Sequence, residues 1–262
     1  MFEISSSGWL LLSLAALFVG ISKTALPGLA TLSVAIFAAI IPARDSTAVI
    51  LLLLLTGDLV AIWTYRHDAH WKTLRQLIPP VIVGIILGAL FLRWADDLVM
   101  RRSIGWILIA LTALTLVRTY GKNRRSMEKK SQASSNSDKD VEIRADHLAP
   151  RYFYGTLGGF TTMAANAGGP VMSLYFLWAR FPVLKFLGTQ AWFFFIINLI
   201  KLPFSFSLGL LNTATLKLDL ILIPLVLIGA FIGRALIRRM KQEIFEPIII
   251  ILTIVSSIYL VI

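Results

Sequence analysis

Gly20-Ile21-Ser22-Lys23-Thr24-Ala25-Leu26-Pro27-Gly28 interrupts what would otherwise be a continuous apolar helix. Lys23 is the one charged residue between Ile4 and Ala43. A lysine at membrane depth costs roughly 3 kcal/mol even on the mildest scales, so such residues face the protein interior and mark a binding site or ion path. Proline and glycine at the same place free backbone polar groups, which a membrane tolerates only where protein buries them or they line a cavity. A cation at a broken helix suits the holding of a small anion.

The rest of the chain agrees with a membrane setting. Its 262 residues are 57% hydrophobic, and the mean hydropathy is +0.80. Uncharged runs recur throughout, among them Thr24–Ala43, Gln76–Leu92, Tyr152–Ala179, Leu202–Leu216 and Pro247–Ile262. Runs shorter than a full span of ~20 residues reach that length once flanking charges snorkel to the headgroups. The N-terminus lacks the basic region and small-residue site of a cleavable signal peptide, so insertion through the first apolar segment is expected. Without cysteine there are no disulfides or thiolate metal sites. The net charge of +11 lies largely in loops. It therefore reads as membrane topology and contact with anionic lipid, and no nucleic-acid partner is expected.

One polar stretch, Gly121–Pro150, divides the chain into similar halves. Ile78-Pro79 followed by Gly84 and Gly88 recurs as Ile223-Pro224 followed by Gly229 and Gly233, at a constant offset of 145. Aligning Pro27 with Pro170 sets Lys23 opposite Asn166 in Asn166-Ala167-Gly168-Gly169-Pro170. Corresponding breaks in two related halves indicate an inverted-repeat transporter with its site at the breaks. The expected organisation is a first repeat at 1–119, a polar cytoplasmic linker at 120–150 and a second repeat at 151–262. Each repeat would hold one interrupted segment (8–41 and 151–179), re-entrant or a helix pair, and three simple spans. Those spans are 46–65, 76–94 and 101–119, then 183–208, 218–237 and 244–262. This is an all-α polytopic membrane protein. With both interrupted segments entering and leaving on one side, the loops at 66–75, 118–151, 180–185 and 234–241 carry 18 Lys/Arg. The opposite loops carry 5, namely Arg44, Arg93, Arg101, Arg102 and Lys217. The positive-inside rule then puts the linker in the cytoplasm and both termini outside.

Lys201 repeats the opening feature, as the one charge between Phe186 and Leu216. It shares a helix face with Asn198, three residues earlier. The plain alternative for either lysine is snorkelling or neutralisation by a carboxylate. Asp58 is the one acidic residue read as lying well inside a span, and it would pair with a lysine or carry a coupling proton. Thr161, Thr162 and Asn166 supply hydrogen-bonding groups at the second break, where half-helix N-termini would direct positive dipoles at an anion. Gly168 permits close backbone approach, and helix packing competes with ligand binding as its explanation. Gln190 and Thr189 are weaker candidates near an interface. His67, His70 and His147 all fall in loops, so no metal site is expected. No phosphate loop, nucleophile elbow or zinc helix is present, and neither an enzymatic activity nor a cofactor is expected.

These strings resemble the sulfite exporter TauE/SafE family, also called the toluene sulfonate uptake permease family. In the first half the likeness rests on Ser22-Lys23-Thr24 with Pro27-Gly28, on Thr56-Gly57-Asp58 and on Tyr65-Arg66-His67-Asp68-Ala69-His70-Trp71. In the second it rests on Gly159-Phe160-Thr161-Thr162-Met163, on Asn166 to Pro170, and on Gly188-Thr189-Gln190 leading to Asn198 and Lys201. The resemblance implies a secondary permease of the prokaryotic cytoplasmic membrane for small sulfur-containing or organic anions such as sulfite, thiosulfate or sulfonates. Export is the expected direction, and a homo-oligomer is left open. Many members have a glycine-rich first break, where this chain has Lys23-Thr24-Ala25-Leu26.

The expected site therefore combines Lys23, Lys201, Asn166, Asn198, Thr161, Thr162, Ser22, Thr24, Gly168 and Gln190 as substrate-binding residues, with Asp58 for coupling or ion pairing. Two rival readings are a divalent-metal permease using Asp58, His67 and His70, and a membrane-embedded enzyme.

Overall fold

In the computed structural model, residues 4–41, 43–92, 147–207 and 211–261 are described, with single positions at 102, 106, 109, 110 and 113. Most of the expected span at 101–119, and the linker through residue 146, lie outside the described residues. Where described, the chain is helical: α1 Ser6–Thr24, α2 Leu29–Ile40, α3 Ala43–Tyr65, α4 Trp71–Leu92, α5 Leu148–Ala165, α6 Gly168–Trp178, α7 Val183–Ser207, α8 Thr213–Ile237 and α9 Gln242–Val261. No strand occurs among the described residues. Among the described residues, five helices are long and apolar enough to cross a membrane: Ser6–Thr24, Asp45–Tyr65, Trp71–Phe91, Val183–Pro203 and Thr213–Ile237. Large apolar side chains face outward along them, including Leu10, Leu59, Leu90, Leu220 and Phe231. Such a surface would drive aggregation in water and is matched by lipid.

Both interrupted segments are pairs of helices. Ala25 and Leu26 both donate to the Ile21 carbonyl, at 2.8 and 3.2 Å, closing α1 before Pro27. The second pair breaks at Asn166, where φ is +50°. The following helices, α2 with 12 residues and α6 with 11, are too short for a hydrocarbon core of ~30 Å at 1.5 Å per residue. α6 is buried on every side, as its apolar composition requires.

The described helices form two units. The first comprises residues 1–71 and 183–245, and the second residues 72–182 and 246–262. In the first, α1 packs along α8, α3 packs on α7 and α8, and α2 lies against α1 and α3. Leu12, Ala15, Val19, Phe37, Val49, Leu53, Leu222 and Val226 form its apolar core. The crossing of α1 and α8 is backbone to backbone: a methyl added at Gly20 would strike the Val226 carbonyl, and one at Gly229 the Leu17 carbonyl. In the second unit α5 packs on α6. Added methyls at Gly84 of α4 and Gly159 of α5 would strike the Thr156 and Val81 carbonyls. Small residues permit these approaches, and in lipid, packing of this kind holds helices together.

Two helix starts differ from the sequence expectation by several residues. α8 starts at Thr213, because Asn212 accepts from Ala214 N at 2.9 Å and Thr215 N at 3.0 Å in a capping box. Lys217, assigned above to a loop, is therefore an exposed residue of α8. α4 begins at Trp71, so Pro79 and Pro80 are interior to it, as Pro224 is to α8. The helix α9, Gln242–Val261, covers the expected last span.

Candidate functional site

The first unit brings a charged cluster together from three helices. Lys23 occupies the last turn of α1, where a cation meets the unpaired carbonyls of the helix end. Its Nζ lies 2.7 Å from Asp58 Oδ1 on α3 and 4.8 Å from the ring centroid of Phe194 on α7. Gly57 makes room for this approach, since a methyl there would stand 2.8 Å from Lys23 Cγ. Asn198 Nδ2 on α7 donates to Asp58 Oδ2 at 2.8 Å, so each carboxylate oxygen is engaged. Lys201 belongs to the same neighbourhood, its charge acting on those of Lys23 and Asp58. All four are enclosed: Lys23 is 9% exposed, Asp58 0%, Asn198 1% and Lys201 6%.

The formal charges of Lys23, Lys201 and Asp58 sum to +1, and an anion entering here would add a counter-charge in a buried setting. Gln190, Phe194, Asn198 and Lys201 follow helical spacing along one face of α7. Gln190 is buried, and its Oε1 receives no hydrogen bond.

Other expected residues have structural tasks. Thr24 Oγ1 is 2.9 Å from the Ala230 carbonyl and 3.2 Å from the Gly20 carbonyl, and its single hydrogen ties α1 to α8. The Thr24 carbonyl accepts from Tyr65 Oη at 2.6 Å. Ser22 is buried beside Lys23 in the same last turn. Thr189 Oγ1 accepts the His70 backbone N–H at 2.9 Å.

Thr161, Thr162, Asn166 and Gly168 gather at the break of the second unit. Thr161 Oγ1 donates back to the Leu157 carbonyl at 2.9 Å. The left-handed conformation of Asn166, which asparagine tolerates better than most residues, lets its N–H bond the Thr162 carbonyl at 3.1 Å. At Gly168 a methyl would lie 2.8 Å from Thr162 Cβ and 3.0 Å from the Gly158 carbonyl, so glycine is needed for packing. His67 is exposed and accepts from Arg66 Nε at 3.0 Å.

Sequence reasoning missed two residues at this site and one buried acid apart from it. Phe194 lies four residues before Asn198, a spacing that could have found it. Tyr65 ends α3 and gave no signal for its bond to the first break. Asp219 was not singled out; it is the second residue of the expected span 218–237, and the start of α8 at Thr213 puts it inside the helix, buried at 2% exposure.

A family model described as Sulfite exporter TauE/SafE matches residues 12–260. Searches of curated proteins and of solved structures return no match.

Proposed function

The chain belongs to the sulfite exporter TauE/SafE family, and from that premise we propose that it is a secondary permease for small sulfur-containing or organic anions of the sulfite, thiosulfate or sulfonate type, working in export. The observation that carries this reading is the enclosed Lys23–Asp58–Asn198 network with Lys201 beside it. A monovalent oxyanion would bring its charge to zero. The ammonium groups of Lys23 and Lys201 would bind oxyanion oxygens, while Asp58 holds Lys23 in place until substrate competes for it. Asn198 fixes the carboxylate, and the free Gln190 Oε1 gives α7 a second polar group on the same face.

Ser22, Thr24, Thr161, Thr162, Asn166 and Gly168 complete the proposal as the residues of the two breaks. The proposed organisation has repeats at 1–119 and 151–262 in inverted topology, a cytoplasmic linker and outside termini, in the prokaryotic inner membrane. Support comes from the loop charges and from the glycine crossings. The second half's Gly229 packs on α1, and the first half's Gly84 packs on α5, so each half's proline-bearing helix meets the other half's broken pair. The divalent-metal reading has less support, because Asp58 is engaged by Lys23 and Asn198 and His67 by Arg66.

Transport of sulfite in proteoliposomes tests the reading. K23M and K201M are each expected to lower the initial rate at least tenfold. Full activity in both variants overturns the site.

A further inference from the structure

Asp219 lies on α8, six residues after its start at Thr213, in the first unit. Both of its carboxylate oxygens are enclosed, and neither receives a hydrogen bond. Its helix neighbours Leu218 and Leu222 belong to the apolar core with Leu12, Val49 and Leu53. From Asp219 to Val226, whose side chain stands against Gly57, is about 10 Å along the helix at 1.5 Å per residue. Asp219 is therefore separate from the lysine–aspartate centre.

α8 packs on α1 and α3. On α1 the charged residue is Lys23, paired with Asp58 of α3. The other titratable groups of α3 are Asp45, Tyr65, whose hydroxyl bonds the Thr24 carbonyl, and Arg44, whose side chain lies outside the described residues. On α8 itself Lys217 is exposed and Arg234 lies over Trp63 at 5.1 Å. Among the described residues none forms an ion pair with Asp219. α2 carries no titratable residue.

A carboxylate with no donor and no counter-ion in apolar surroundings takes a proton rather than keep its charge. We propose that Asp219 is a proton-binding site: its carboxyl holds a proton in this conformation and releases it in the transport cycle. One carboxylate oxygen gains a proton from water on one side of the membrane and returns it to water on the other, and no other bond changes. Its coupling to solute rests on the permease reading above, while protonation itself does not.

Two measurements on the full-length protein separate these. The infrared spectrum at pH 7 should contain a protonated-carboxyl C=O band that is absent from D219N and disappears from the wild type at alkaline pH. If the D219N and wild-type spectra coincide in this region at pH 7, Asp219 is ionised, paired with Arg44 for example, and the proposal falls. In proteoliposomes, D219N should retain exchange of labelled for unlabelled sulfite and lose pH-gradient-driven sulfite accumulation at least tenfold. Accumulation by D219N at the wild-type level overturns the coupling role even if the band is present. Failure of the wild type to exchange sulfite counts against the permease reading, and the infrared band still decides Asp219.

Discussion

The Lys23 ammonium lies 2.7 Å from Asp58 Oδ1, joining the end of α1 to the middle of α3 across 35 residues of sequence. Removing one partner of a buried pair leaves an uncompensated charge, which costs about 3–5 kcal/mol. The three-charge centre makes the loss unequal between the partners. D58N takes the carboxylate away from two lysines whose charges act on each other, whereas K23M leaves Asp58 with Asn198 and within the influence of Lys201. D58N is expected to lower the unfolding temperature in detergent more than K23M does, and the double variant K23M/D58N to regain part of the D58N loss. Equal losses in the two single variants would show that Lys201 does not share the centre.

Much of this centre was legible in the chain because charge in an apolar run is rare and costly. Lys23, Lys201 and Asp58 each stand out on that ground, and Asn198 follows from its three-residue spacing to Lys201. The two breaks were legible from Pro27 and from Asn166 to Pro170, but not whether each was a re-entrant loop or a helix pair. What escaped depends on where helices begin. The Asn212 capping box carries α8 back to Thr213, so Asp219, near the edge of the expected span 218–237, lies six residues inside the helix, where it is buried. Partner choice also escaped, since a span pattern does not say whether Asp58 meets Lys23, Lys201 or water. The sequence likewise did not show that the hydroxyl of Thr24, a residue of the proposed site, bonds the Ala230 carbonyl.

Tyr65 ties the first break to α3 through a single hydroxyl. Y65F keeps the ring and leaves the Thr24 carbonyl without that donor. A buried acceptor so orphaned costs about 1–3 kcal/mol. Thermal unfolding should register a loss of that size, and proteolysis near residues 24–28 should quicken. An unchanged melting curve would mean that water or another donor serves the carbonyl equally well.

The glycine crossings set a steric limit in each unit. Gly229→Leu and Gly84→Leu must displace the Leu17 and Thr156 backbones, which cannot yield as a flexible side chain can. Neither variant is expected to give a monodisperse peak on size-exclusion chromatography. Gly88→Ala is milder, its methyl meeting the Phe160 carbonyl at 2.9 Å and Met163 Cβ at 3.0 Å, and it should remain folded with reduced stability. If Gly229→Leu folds as well as Gly88→Ala, the tight approach of α1 to α8 is wrong.

Asn166 separates a packing role from a binding role. At φ +50° and ψ +24° its backbone suits glycine as well as asparagine and disfavours alanine. N166A should cost about 1–2 kcal/mol for the left-handed conformation, and N166G close to nothing in stability. Transport then distinguishes the two tasks. If the side-chain amide takes part in anion recognition, N166G will unfold at the wild-type temperature yet carry sulfite at a rate reduced several-fold, with a raised KM. If asparagine is present only to end α5, N166G will match the wild type in both measurements while N166A is impaired in stability alone. The raised KM is the expected result, because the aligned position in the first half holds Lys23, whose charge serves the proposed site directly.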